Sequence, residues 1–202
     1  MIMKIAMFGG SFDPVHNDHI SLVRVMADTF ELDRVYIFPA ACSPFKDKTG
    51  ALDFHRLEMC RLAFEKDDRF VVSDFEIARG GKSYTVNTLE FLKSQYPDAQ
   101  IHLITGADAF MTLSKWYESE RIFSIAHILT VVRDEDVISA LKTKEKEYAD
   151  LGAVCSFIET PIGETSSTKI RELLQRGEDA SQYLPFEVYD YIKDNRLYGY
   201  EH

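Results

Sequence analysis

Along this chain, short runs of consecutive apolar residues alternate with stretches in which apolar residues recur every third or fourth position. The first spacing is that of buried strands, the second that of one helical face. "KIAMF" is followed by "HISLVRVMADTF", where Ile20, Val23, Ala27 and Phe30 keep helical spacing. "RVYIFPA" is followed by "DFHRLEMCRLAFEK", in which Leu57, Cys60, Leu62 and Phe64 suit a buried helix face. "FVVSDFEI" reads as a strand before the helix "YTVNTLEFLKSQY". "IHLIT" reads as a strand before a short helix from about Asp108 and another around "SERIFSI". "HILTVV" precedes the charged helix "EDVISALKTKEKEYADL", whose predicted role is a solvated surface. "AVCSFIE" precedes "SSTKIRELLQRG", which stops at Gly177 as helices commonly do. A last helix, "PFEVYDYIKDN", follows.

Strands alternating with helices predict β-α-β crossovers. The expected fold is α/β, an open parallel sheet with helices on both faces and a small helical C-terminal end. Such sheets bind ligands at the carboxyl ends of their strands, so residues that carry chemistry should fall just after strands. No repeat, low-complexity tract or Pro/Gly-rich linker divides the chain, and residues 1–202 read as one domain. The segment "CSPFKDKTGA", residues 42–51, reads as a mobile loop.

Composition narrows the function classes. Lys plus Arg number 23 and Asp plus Glu 33, a formal charge of −10. That argues against a nucleic-acid partner, which needs a basic surface, but leaves room for a local cationic pocket and an anionic small substrate. The cysteines, Cys42, Cys60 and Cys155, are odd in number and fit no zinc spacing, so reduced thiols in a cytoplasmic protein are expected. "MIMKIAMF" is broken too soon by Gly9-Gly10 to read as a signal peptide, and no apolar run approaches the ~20 residues that span a bilayer.

Against that background several polar clusters stand out. Gly9-Gly10 follows the first strand, where glycine lets backbone N–H groups approach a phosphate, although an ordinary tight turn looks the same. In "HNDH", His16 and His19 lie three residues apart in a polar turn before a helix. Two histidines without a Cys pair or HExxH make a poor zinc site; imidazoles there can instead donate to phosphate oxygens. In "TSSTKIREL" one of Ser166, Ser167 and Thr168 would suffice as an N-cap. Three hydroxyl residues followed by Lys169 and Arg171 make a polyphosphate cradle. "ITGAD" closes a strand with Gly106 and Asp108, a carboxylate that can bond sugar hydroxyls or cap a helix. Trp116, the single tryptophan, can pack or can stack on an aromatic ligand. "RGGKSYT" imitates the end of a P-loop, but the glycine required five positions before Gly81 is Glu76, and that reading is rejected. His55, His102, His127 and His202 read as structural or surface residues.

"GGSFDPVHNDH" followed far downstream by "TSSTKIREL" resembles the nucleotidyltransferase superfamily with HxGH-type and ISSTxxR-type motifs. More narrowly the chain resembles the bacterial nicotinate-nucleotide adenylyltransferases, through "GGSFDPVH", "SYT" (Ser83 to Thr85), "GAD" (Gly106 to Asp108), "KWY" (Lys115 to Tyr117), "SSTKIR" and the ending "LP…V…YI…N.LY", in order along nearly the whole chain. The resemblance implies a Rossmann-like nucleotidyltransferase fold. It implies ATP and nicotinate mononucleotide as substrates, deamido-NAD and pyrophosphate as products, and magnesium bound with the ATP phosphates rather than by protein ligands. It implies phosphate contacts for Gly9, Gly10, Ser11 and Phe12, and contacts around the reacting α-phosphorus for His16 and His19. It gives Lys46 an approach to the phosphates from the 42–51 loop, and gives Ser167, Thr168 and Arg171 the β- and γ-phosphates. Gly106 and Asp108 would lie by the adenosine and Arg133 by the adenine. Thr85 and Tyr117 would offer backbone N–H groups to the nicotinate carboxylate, with Trp116 stacked on the pyridine ring. A homodimer is left open.

The chain departs from that pattern at two positions. Asp18 stands where the family usually has glycine, and Phe45 where histidine is common. Asp18 is expected to start or cap the first helix. Its charge favours the cationic form of the adjacent histidines, and would repel ATP phosphates if it faced them. Two rival functions remain at this level: an adenylyltransferase preferring nicotinamide mononucleotide, and a non-catalytic nucleotide sensor.

Overall fold

A computed structural model describes residues 2–41, 50–132, 135–160, 163 and 165–200, with residues 135 and 136 described by their backbone. Among the described residues, β1 (Lys4–Gly10), β2 (Arg34–Pro39), β3 (Phe70–Val72), β4 (Gln100–Gly106), β5 (Ala126–Val132) and β6 (Cys155–Glu159) form one sheet. Its order is β3-β2-β1-β4-β5-β6, the doubly wound arrangement. β1 with β4, β4 with β5, and β5 with β6 pair in parallel, with Ile5 opposite Ile101, Leu103 opposite Ile128 and Val131 opposite Ile158. Parallel neighbours need crossovers. These contain α1 (Asn17–Phe30), α2 (Asp53–Phe64), α3 (Phe75–Arg79), α4 (Thr85–Gln95), α5 (Ala107–Thr112), α6 (Ser119–Ile125) and α7 (Glu135–Asp150). After β6 come α8 (Ser167–Gln175) and α9 (Phe186–Asp194), the small helical C-terminal part. The central strands read as unbroken apolar runs because residues 101–105 of β4 are buried on both faces.

The predicted strand "FVVSDFEI" is shorter than expected. β3 ends at Val72 and Phe75–Arg79 is a helical turn. Ser73 Oγ accepts the Phe75 N–H at 3.3 Å and the Asp74 carbonyl accepts the Ala78 N–H at 2.8 Å, so the polar Ser-Asp pair turns the chain. Phe75 and Ile77 alternate with polar residues, but a single helical turn tolerates that pattern too. Gly9-Gly10 forms the end of β1 rather than a turn after it. "RGGKSYT" joins α3 to α4, so it lacks the strand-to-helix setting of a P-loop.

Contacts gather the chain into two compact units, Met1–Phe8, Val23–Tyr36 and Tyr84–Ile162 in one, Gly9–Leu22, Ile37–Ser83 and Gly163–His202 in the other. In the first, Ile5, Met7, Leu103, Ile128, Leu89 and Phe123 are buried. The charged helix α7 is solvated on one side only. Leu141 and Tyr148, seven positions apart and so on one face, are buried. Tyr148 donates its hydroxyl to the Phe110 carbonyl at 2.8 Å. In the second unit, α2 packs on α9, and Met59, Cys60, Phe64, Ile170, Val188 and Ile192 form the core.

Candidate active site

In the second unit, the segment that begins at Gly9 turns sharply before α1. Phe12 takes the left-handed conformation, φ 46°, with its ring buried. A side chain on Gly10 would come within 3.1 Å of that ring, so a bare Cα is needed there for space. The His16 carbonyl accepts the His19 N–H at 3.0 Å and opens α1. The His16 and His19 rings stack, centroids 3.7 Å apart and tilted by 31°, and Phe12 meets His19 edge-on at 5.2 Å. His19 Nδ1 accepts the backbone N–H of His16 at 3.2 Å. A ring nitrogen that accepts carries no proton, so the neutral imidazole holds its proton on Nε2 and donates from there.

The start of α8 meets this segment. Ser166 is the N-cap, its Oγ accepting the Lys169 N–H at 3.2 Å. Ser167 Oγ donates to the Pro14 carbonyl at 2.9 Å. Arg171 donates from Nη1 to the Asp13 carbonyl at 2.7 Å and from Nη2 to Thr168 Oγ1 at 3.3 Å. The three hydroxyls of the expected cradle thus divide into a cap, a tie to Pro14 and a partner for Arg171. Helix geometry leaves the N–H groups of Ser167 and Thr168 without intrahelical acceptors, which suits an anion. Lys169 lies over the Tyr183 ring, Nζ 4.7 Å from its centroid. Asp18 lies in the first turn of α1, as expected, and its carboxylate accepts the Thr165 N–H at 2.8 Å.

Sequence reasoning did not single out the groups that support this arrangement. The buried Asp13 carboxylate accepts the N–H groups of Gly50 and of Ala51 (3.0 Å) and the Tyr198 hydroxyl (2.7 Å). Burial, then the nearby Asp13 carboxylate, push the Tyr198 hydroxyl up from its ordinary pKa. Arg56 is fully buried and donates to the Ser11 carbonyl at 2.6 Å, the Ala40 carbonyl at 2.5 Å and Asp53 Oδ1 at 2.7 Å. Its spacing with Cys60 and Ala63 was the available signal: a cation on the apolar face of a helix.

In the first unit, Gly106 ends β4 and is the N-cap of α5. Asp108 lies exposed in the first turn of α5, so it is not the cap itself. Thr85 is the first residue of α4, and the ring of the preceding Tyr84 lies 4.6 Å from that of Tyr117. Trp116 is half-buried, with Nε1 3.4 Å from Thr112 Oγ1, and Tyr117 is exposed. A hydrogen bond donated to the neighbouring Glu118 carboxylate raises the Tyr117 hydroxyl pKa. Lys46, Phe45, Arg133, Cys42 and His202 lie outside the described residues, as does residues 42–49 of the expected mobile loop.

His55 contacts Tyr191 at 2.9 Å, and His102 and His127 lie ring against ring in the first unit. Cys60 and Cys155 are free thiols, pushed up by burial, Cys155 to about 11. Among the described residues no three His, Cys, Asp or Glu side chains converge as a metal site would need, and no helix is long and apolar enough to cross a membrane.

The family model described as cytidylyltransferase-like matches residues 7–173, a span that includes both the histidine motif and the start of α8. With the doubly wound sheet, that match defines the class: a nucleotidyltransferase. Proteins from Citrifermentans bemidjiense and Clostridium botulinum (strain Kyoto), each named a probable nicotinate-nucleotide adenylyltransferase, are both 37% identical to it, over 97% and 98% of this chain and 98% and 100% of theirs. The chain belongs to the nicotinate-nucleotide adenylyltransferase family. Two structures of the Plasmodium falciparum nicotinic acid mononucleotide adenylyltransferase, complexed with APC and with NaAD, superpose with TM-scores of 0.80 and 0.81. Each covers 98% of both chains at 19% identity, a likeness of fold.

Proposed function

We propose that this chain transfers the adenylyl group of ATP to nicotinate mononucleotide, giving deamido-NAD and pyrophosphate, in the cytoplasm. The observation that carries this reading is the meeting of the Asp13–His19 segment with the start of α8, through Ser167 to Pro14 and Arg171 to Asp13. Two helix starts, two histidines and an arginine gather there around chain segments about 150 residues apart, which suits a polyphosphate. The names of the two bacterial relatives support the same reaction.

The chemistry asks for little covalent help. The mononucleotide phosphate is already ionised at neutral pH. One of its oxygens bonds to the α-phosphorus of ATP as the bond to the bridging oxygen breaks, and that electron pair leaves with pyrophosphate. Catalysis then consists of alignment and stabilisation of developing charge. In this reading His19 donates from Nε2 to the α-phosphate region with His16 beside it. Gly9, Gly10, Ser11 and Phe12 line the phosphates, and Ser167, Thr168 and Arg171 hold the β- and γ-groups. Lys46 adds a cation from its loop. Gly106, Asp108 and Arg133 take the adenosine; Thr85 and Tyr117 take the nicotinate carboxylate and Trp116 its ring. Magnesium arrives as part of the substrate, held by the phosphate oxygens.

Mixing the protein with ATP, magnesium and nicotinate mononucleotide should release pyrophosphate and form the dinucleotide. Absence of both products while ATP still binds would overturn the reading in favour of a sensor. A higher kcat/KM with nicotinamide mononucleotide would overturn the preference for the acid.

A further inference from the structure

The carboxylate of Asp18 and the bare Cα of Gly163 fit one another. Asp18 is 9% exposed, in the first turn of α1, where the helix end favours a negative charge. Its carboxylate accepts the Thr165 N–H at 2.8 Å, a charge-assisted bond between residues 147 positions apart. A Cβ built on Gly163 would lie 2.5 Å from Asp18 Oδ1 and 3.0 Å from both Cγ and Oδ2. Glycine is required there for closeness, because any Cβ would overlap the carboxylate. Asp18 cannot swing aside cheaply, because its side chain is short, buried, fixed to a helix and bonded to Thr165.

Thr165 directly precedes Ser166, the N-cap of α8, and the N–H groups of Ser167 and Thr168 come next. We infer that Asp18 is a positioning residue: matched with Gly163, it clasps the segment before α8 and so sets where the start of α8 meets the ATP phosphates. The inference rests on the nucleotide reading above. Asp18 and Gly163 then behave as one unit, and substitutions at the two positions are non-additive.

A double-mutant cycle tests this with the full chain. The readouts are the calorimetric Kd for MgATP, kcat with nicotinate mononucleotide, and Tm. Asp18→Ala should weaken MgATP binding about tenfold and lower kcat by less, whereas Asp18→Asn, which keeps an acceptor for Thr165, should stay within about threefold of wild type. Gly163→Ala should weaken binding about tenfold and lower Tm in the wild-type background. In the Asp18→Gly background the same change should alter Kd less than about twofold and leave Tm in place, because the clashing carboxylate is gone. Equal effects of Gly163→Ala in both backgrounds, or an Asp18→Asn variant as impaired as Asp18→Ala, would overturn the inference. If the wild type forms no dinucleotide, the reaction assignment fails by itself, and Kd and Tm still decide the coupling.

Discussion

Replacing His102 with asparagine removes a buried group whose titration should cost the fold stability in mild acid. His102 on β4 lies opposite His127 on β5, ring centroids 5.3 Å apart, and is 3% exposed. Burial, reinforced by the neighbouring His127, holds its pKa down from 6.5 to about 4. Below pH 6.5 the unfolded chain takes up a proton that the folded chain refuses until about pH 4. The contribution is therefore whole above pH 6.5 and is lost as pH falls through that window. The fall from 6.5 to about 4 corresponds to about 3 kcal/mol, most of which is gone by pH 4.5. Urea unfolding at pH 7 and pH 4.5 measures the loss for wild type and for His102→Asn, so that carboxylate titration common to both cancels. Wild type should lose about 2 kcal/mol more than the variant, since His127, whose pKa burial also lowers, remains in both and largely cancels. Equal losses would refute the reasoning and leave the acid response to other groups.

Three further outcomes are expected. His19→Ala should lower kcat by about 10²–10³ with its Tm unchanged, since it removes one donor to developing charge; near-normal turnover would sink its assignment. Arg56→Met should cost about 3 kcal/mol in denaturant unfolding, because the Ser11 and Ala40 carbonyls lose their charged donor inside the protein; a loss below about 1 kcal/mol would mean that water replaces the guanidinium. Tyr198→Phe should cost about 1–2 kcal/mol by taking one donor from the buried Asp13 carboxylate, and unchanged stability would show that the two N–H groups suffice.

What the sequence disclosed and what it hid differ in a physical way. The alternation of apolar runs and helical stripes disclosed the strands and helices because burial on both sheet faces imposes it locally, residue by residue. The two motifs singled out His16, His19 and Arg171, which lie in one compact unit. The roles of Ser166, Ser167 and Thr168 were not separable in sequence, because which hydroxyl caps and which one reaches Pro14 is set by a partner about 150 residues away. The same holds for Asp13 with Tyr198, and for Asp18 with Gly163. Each is a pair whose members look ordinary alone. The misread end of "FVVSDFEI" has the opposite cause: over three residues, a strand and one helical turn expose the same pattern.

The local field follows from which charged groups the fold gathers near the start of α8. The chain carries a charge of −10, yet the proposed ligand is a polyanion. Near the α8 start two of the described acids bond internal donors: Asp13 two backbone N–H groups and a hydroxyl, Asp18 the Thr165 N–H. Arg171 is held differently, by a carbonyl and a hydroxyl, neither of which cancels its charge. Arg56 likewise gives two of its bonds to carbonyls, one of them that of Ser11, although Asp53 offsets part of its charge. A neutral hydrogen-bond partner leaves a charge in place, so Arg171, Arg56 and the helix starts of α1 and α8 supply the cationic side of the local field, and Asp13 and Asp18 the anionic side. The number of acids in the chain therefore says little about the field a phosphate would meet; the placement of each acid, each arginine and each helix start sets it.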